Sequence, residues 1–175
     1  GYYNDQSRVA IRLLEWDEKV NIDEAWYEQK INTAIAGRAH LLAKEETTAF
    51  RLIFSEADFL PGLIVDRYAD FLSVQILSSG IEKAKEIIIK ALVKRLQPKG
   101  IFDRSDATAR THEGITAENG LLWGENPAEF IEVKENGIKY HINIAEGQKS
   151  GFYCDQRDNR KILASYSKGK TVLYC

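Results

Sequence analysis

Three β-rich runs, Phe50–Phe54, Leu63–Tyr68 and Phe71–Leu77, follow one another closely and are parted by short turn signals. Pro61-Gly62 and Ala69-Asp70 both suit tight turns, the first because proline presets φ and glycine tolerates positive values. Antiparallel strands are the ones that short turns can join, so these runs predict a small antiparallel meander.

Around the meander the periodicity turns helical. Asn21–Lys44 reads as a long helix, with Trp26, Ile31, Ala34, Ile35, Ala39 and Leu42 at helical spacing and Asp23 and Glu24 in a first turn. A second amphipathic helix, Ile81–Gln97, is stopped by Pro98 and Gly100. Val9–Leu14 and Ile101–Arg104 read as further strands, which makes the middle of the chain a compact α+β module. The pattern weakens from Thr111 to Asn126, where Gly114, Gly120 and Gly124 punctuate it, and this stretch is expected to be a linker. Phe130–Val133 and Ile138–Ile144 then flank Asn136-Gly137, a strong hairpin signal because both residues tolerate positive φ.

The 175 residues suffice for a sizeable core, and charged residues at 29% with a net charge of −2 describe a folded chain of mixed charge. That balance argues against coating nucleic acid by charge alone, but not against a local basic patch. No run approaches eighteen apolar residues, so no membrane-spanning helix is expected. Cys154 and Cys175 form neither a metal spacing nor a disulfide framework, so a reducing, cytoplasmic setting is expected.

The segment Gly147–Arg160 holds two glycines, a lysine, adjacent aromatics and a dense acid, amide and arginine run, little of which a core requires. As a site, Lys149 and Ser150 supply donors, Gly147 and Gly151 allow close backbone approach, and Phe152 and Tyr153 offer rings for stacking. Asp155 is expected to cap a helix running to about Tyr166, whose free N–H groups suit an anion, with Gln156 and Arg157 in its first turn. The competing reading is a surface turn in which Asp155, Arg157, Asp158 and Arg160 pair among themselves. Thr171–Cys175 resembles the first strand of a nucleotide-binding sheet, and the sequence therefore reads as a section of a longer protein.

Other motifs have plainer readings. The carboxylates of Glu56-Ala57-Asp58 and Asp66 are expected to be architectural, with Asp66 and Arg67 satisfying one another. Cys154 lacks a nearby histidine in sequence to activate it. His40, His112 and His141 share no ligand spacing, and Lys83, Lys85, Lys90, Lys94 and Arg95 read as a solvated helix face.

Two strings together, Glu56-Ala57-Asp58-x-Leu60-Pro61-Gly62-Leu63-Ile64-Val65-Asp66-Arg67-Tyr68 and Gly147-Gln148-Lys149-Ser150-Gly151-Phe152-Tyr153-x-Asp155-Gln156-Arg157-x-Asn159-Arg160, resemble a known family. They look like the class I S-adenosylmethionine-dependent methyltransferases of the large-subunit rRNA cytosine-C5 type. That resemblance implies residues 1–15 as the tail of a PUA domain, 16–110 as a central domain, 111–126 as a linker and 127–175 as the truncated start of a Rossmann-like catalytic domain. It departs at Asn4-Asp5, where Asn-Pro is usual, and at Ser150, which replaces a threonine but keeps the hydroxyl.

The resemblance further implies S-adenosyl-L-methionine as cofactor, with Lys149, Ser150, Phe152, Tyr153, Gln156 and Arg157 as candidate contacts. It implies large-subunit rRNA as partner, leaves a homodimer open, and puts no residue of this chain in the catalytic role. The glycine turn, the ribose-binding acid and a cysteine that adds to cytosine C6 are expected beyond Cys175, so this chain alone should be inactive. Two other readings stay open: a methyltransferase with a guanine or protein acceptor, and a non-catalytic RNA-binding module.

Overall fold

The computed structural model describes residues 1–116 and 119–173. Two short strands open the chain: β1 (Tyr2–Tyr3) and β2 (Ile11–Arg12), paired antiparallel. Only two residues of the expected Val9–Leu14 strand are in this ladder. Helix α1 (Glu24–Gly37) begins one residue after Asp23, whose side chain caps it by accepting from the Trp26 N–H at 3.0 Å. Its buried stripe is Trp26, Tyr27, Ile31, Ala34 and Ile35. The helix breaks at Arg38, where the guanidinium forks onto Asp58 (Nη2 to Oδ2 at 2.8 Å), before a single further turn, α2 (Ala39–Leu42). The one long helix expected is thus two.

The meander is present: β3 (Ala49–Phe54), β4 (Leu63–Tyr68) and β5 (Phe71–Ile76) pair in order and antiparallel. Helices α3 (Ser79–Lys83) and α4 (Lys85–Leu96) then cross over and return the chain as β6 (Gly100–Asp103), parallel to β5. Gln97 ends α4 in a left-handed conformation (φ 47), so the stop precedes Pro98.

A short helix, α5 (Ala107–His112), is followed by β7 (Gly120–Gly124), which pairs antiparallel with β6. The stretch expected to be a linker therefore contributes the edge of a five-stranded mixed sheet, ordered β3-β4-β5-β6-β7. Its glycines, which read as punctuation, stand at both ends of that strand. Hairpin strands β8 (Ile131–Glu135) and β9 (Ile138–Ile142) turn through Asn136 (φ 50) and Gly137 (φ 81), as the Asn-Gly signal predicts.

Strand periodicity divides the two faces of the sheet. Leu52, Leu63, Val65, Leu72 and Val74 face α1 and α4, where they form the main core with Ile31, Ile35, Ile88 and Leu92. On the other face Ala49 and Tyr68 meet Ile131, Val133, Ile142 and Ile144 of the hairpin in a second cluster. The hairpin is tied down by Thr48, whose N–H donates to the Lys134 carbonyl at 2.8 Å and whose hydroxyl accepts from the Lys134 N–H at 2.9 Å. It covers only part of that face.

The last helix, α6 (Arg157–Ser167), starts after a 3₁₀ turn, Cys154–Gln156. Asp155 lies inside that turn rather than at the helix cap, and its side chain goes to Lys149 and Gln156. Residues 171–173 form no strand, and the remainder of the expected strand, Tyr174 and Cys175, lies outside the described residues. Among the described residues no helix is long and apolar enough to cross a membrane.

Candidate functional site

The loop Gly147–Gln156 lies against the half of the sheet that carries Asp66 and Tyr68, so the two informative strings of the sequence touch. Asp66 and Tyr68 are two apart on β4 and project to one face. Asp66, fully buried, receives Arg51 Nε at 2.8 Å and Nη2 at 3.0 Å from the facing position on β3. Its other neighbour is the Ser150 hydroxyl, which donates to Asp66 Oδ2. With its proton spent there, Ser150 accepts from the Tyr68 phenol, 2.9 Å away, whose other acceptor is the more distant Phe152 carbonyl at 3.3 Å. The Tyr68 oxygen in turn accepts the Phe152 N–H at 3.2 Å and faces Cys154 Sγ at 3.8 Å. The result is one directed chain, Phe152 N–H to Tyr68 to Ser150 to Asp66, closed by Arg51.

Burial and the Asp66 charge push the Tyr68 phenol far above its ordinary range, and the same two causes raise the Cys154 thiol to about 12. Both groups stay protonated, as their places in the chain require. Cys154 is accordingly a packing residue here. The expected pairing of Asp66 with Arg67 does not form: Arg67 Nε donates to the Ala69 carbonyl at 2.8 Å.

The loop's shape has local causes. Gly147 and Gly151 approach so closely that a Cβ on Gly147 would lie 2.3 Å from the Asn143 carbonyl oxygen and 2.7 Å from that of Gly151. Lys149 between them takes a left-handed backbone (φ 55), at a cost of roughly 1 kcal/mol. Arg104, just past β6, holds this bend by donating to the carbonyls of Gly147 at 2.7 Å and Lys149 at 3.3 Å. At the other end Arg160 forks onto Glu135 of the hairpin, both bonds 2.7 Å, and also donates to the Tyr153 carbonyl at 2.8 Å. Its guanidinium covers the Phe152 ring at 4.5 Å, and that ring also meets Tyr140 at 5.1 Å.

The six candidate side chains therefore divide. Ser150 and Phe152 turn inward and fix the loop. Lys149, Tyr153 and Gln156 are exposed, with the Lys149 ammonium 4.4 Å from the Tyr153 ring centre and 3.3 Å from Asp155 Oδ2. Arg157 pairs with Asp158 at 3.1 Å and lines a separate cleft of about 350 Å³ with Arg38, His40 and Phe54. Of the four charged residues expected to pair among themselves, only Arg157 and Asp158 do so.

Asp66, Tyr68, Arg51, Arg104 and Glu135 were not singled out from sequence as parts of this site. For Asp66 and Tyr68 the signal existed, since an acid and a tyrosine at alternate strand positions share a face. Nothing local in sequence announced the other three.

A second cleft, about 570 Å³, opens on the part of the sheet face that the hairpin leaves bare. Arg51, Ile64 and Gln75 form its floor, Lys149 its rim on the loop side, and residues 104–107 with Asn119 its far wall. Beneath that wall Arg110 is buried against Asp103, whose Oδ1 also accepts from the Ser105 N–H at 2.9 Å.

No protein-family model matches the chain. The fold is that of two solved structures assigned as methyltransferases. One, assigned as SAM-dependent and from Streptococcus mutans, superposes with a TM-score of 0.73 at 22% identity over 86% of this chain and 38% of its own. The other, solved as a complex with SAH, gives 0.72 at 22% identity over 83% and 36%.

In sequence the chain is similar throughout to Ribosomal RNA large subunit methyltransferase I of Shewanella denitrificans, 41% identical over 175 residues. The protein of the same name from Aliivibrio fischeri is 40% identical over 175 residues. The chain spans 44% of the length of each of these relatives.

Proposed function

We propose that this chain is part of an S-adenosyl-L-methionine-dependent methyltransferase that acts on large-subunit rRNA, with cytosine C5 as the acceptor. The observation that carries this reading is the similarity along all 175 residues to the rRNA methyltransferases, at 41% identity. The loop gives it physical content. Its outward groups suit the cofactor's chemistry: an ammonium and an amide for a carboxylate, and the half-exposed Tyr153 ring for a purine face. When bound, the cofactor supplies the methyl group. The chain's own part is to hold it through Lys149, Tyr153, Gln156 and Arg157, with Ser150 and Phe152 fixing the loop from beneath. Residues beyond Cys175 complete the site and carry the nucleophile in this reading.

The test is transfer of a labelled methyl group to protein-free large-subunit rRNA by a chain extended to the relatives' length, with the 175-residue chain as control. Label recovered as 5-methylcytosine, from the extended chain only, is the expected result. Label in another base or in protein would overturn the acceptor, and label nowhere would overturn the reaction.

A further inference from the structure

The second cleft adjoins the loop proposed to hold the cofactor and shares only Lys149 with it. On a chain of net charge −2 it gathers Arg51, Arg104 and Lys149 with one lining carboxylate, Asp106, while Asp66 and Asp155 pair with Arg51 and Lys149 from outside the lining. Asp106 is occupied, because its Oδ1 accepts the Ala109 N–H at 2.7 Å as the cap of α5. The cations keep donors to spare. Arg51 commits Nε and Nη2 to Asp66, and Arg104 commits Nη2 to the loop, which leaves Arg51 Nη1 and Arg104 Nε and Nη1 without a hydrogen bond among the described residues. Gln75 in the floor likewise makes no side-chain hydrogen bond there.

Fixed guanidiniums with open donors suit phosphate oxygens, and amides suit base edges. The volume falls in the range of small-ligand sites. The lining offers Ile64 as its one sizeable apolar side chain, a poor match for the side-chain pockets by which peptides are recognised.

We propose that this cleft binds the phosphodiester backbone of a single-stranded RNA segment beside the target nucleotide, with Arg51, Arg104 and Lys149 facing the phosphates and Gln75 beneath them. This rests on the RNA-directed reading above and adds to it a named surface on the central sheet. Arg51, Gln75, Arg104 and Lys149 all belong to this chain, so their binding of RNA is measurable with it.

The test uses Gln75, which can gain either charge without losing a side-chain hydrogen bond to the described residues. A short single-stranded oligoribonucleotide is titrated by fluorescence anisotropy at several salt concentrations. Gln75→Lys should tighten binding about fivefold at about 50 mM salt and steepen the log–log salt slope by about 0.7, the increment for one added phosphate contact. Gln75→Glu should weaken binding by a similar factor, and Lys149→Gln should flatten the slope by about 0.7. Lys90→Glu, exposed on α4 and on the far side of the sheet, should change nothing. Circular dichroism melts confirm that each variant folds.

Opposite shifts at one position cannot come from simple loss of structure, which would weaken both. The cleft assignment fails if both Gln75 variants stay within twofold of the parent, if Lys90→Glu is the variant that weakens, or if the parent chain binds no RNA at low salt. It also fails if polyglutamate displaces the RNA at equal concentration of charge, which would make the cleft a general anion site. None of these outcomes bears on methyl transfer by the extended chain, so the two readings fall separately.

Discussion

Removing the Tyr68 hydroxyl should loosen the site loop more than it harms the core around it. Tyr68→Phe keeps the ring among Ala49, Val133 and Ile144 and deletes only an oxygen. That oxygen donates to Ser150 at 2.9 Å and accepts the Phe152 N–H at 3.2 Å. Each such bond is worth about 1 kcal/mol net, and stranding the half-buried Phe152 N–H adds a further fraction, so the loss should be about 2–3 kcal/mol. For a chain of this size that lowers Tm by about 5–10 °C.

Ser150→Ala should cost a similar amount, since it removes a charge-assisted bond to Asp66 as well as the acceptor for Tyr68. The two losses share one link of a polarised chain, so the double variant should be less destabilised than the sum by about 1 kcal/mol. Urea melts of the four proteins measure this coupling, and amide exchange should place the loosening in residues 147–157 and leave β3–β5 protected. Additivity within about 0.3 kcal/mol, or exchange that rises evenly over the sheet, would refute the directed chain.

Two further outcomes follow from the same geometry. With Cys175 replaced by serine, Cys154 should react with a disulfide reagent at pH 8 about three orders of magnitude more slowly than in denatured protein, because a pKa of about 12 leaves little thiolate; comparable rates would sink the burial argument. Burial alone would raise the Glu113 carboxyl, but Ser7, the Ser79 N–H, Asn4 and Arg12 together hold it below 4.5. The stability it gives the β1–β2 segment should thus be complete above about pH 4.5 and fade as pH falls through the lowered value, measured as amide exchange at Tyr2, Tyr3, Ile11 and Arg12. Glu113→Gln should abolish that acid dependence, and an unchanged profile would assign it to other carboxylates.

How much of this was legible in sequence depended on the range of the interaction. The meander and the Asn-Gly hairpin were legible because strand alternation and turn chemistry act over a few residues. Strand β7 was not, since Leu121, Leu122 and Trp123 between two glycines give too short a signal, and its place is set by pairing with β6 about twenty residues away. The break of the first helix at Arg38 was hidden for a related reason: the residue that ends it, Asp58, belongs to a turn beyond β3. Asp155 looked like a helix cap because the local pattern fits one, but Lys149 competes for the same carboxylate. The site was legible as a loop and not as a loop with a foundation.

That foundation changes what the loop can do. A surface loop with two glycines would lose much conformational freedom on binding, and that loss would be subtracted from affinity. Here contacts within the chain itself restrict that freedom. Ser150, Phe152, Arg104 and Arg160 anchor four successive points of the loop to the sheet and the hairpin. The sheet side that provides three of those anchors, through Asp66, Tyr68 and Arg104, also floors and walls the cationic cleft. Lys149 stands at the junction, its carbonyl held by Arg104 and its ammonium beside Tyr153. A ligand in the cleft and a ligand on the outer side of the loop would therefore meet one rigid element from two sides, which requires no motion of the loop to couple their positions.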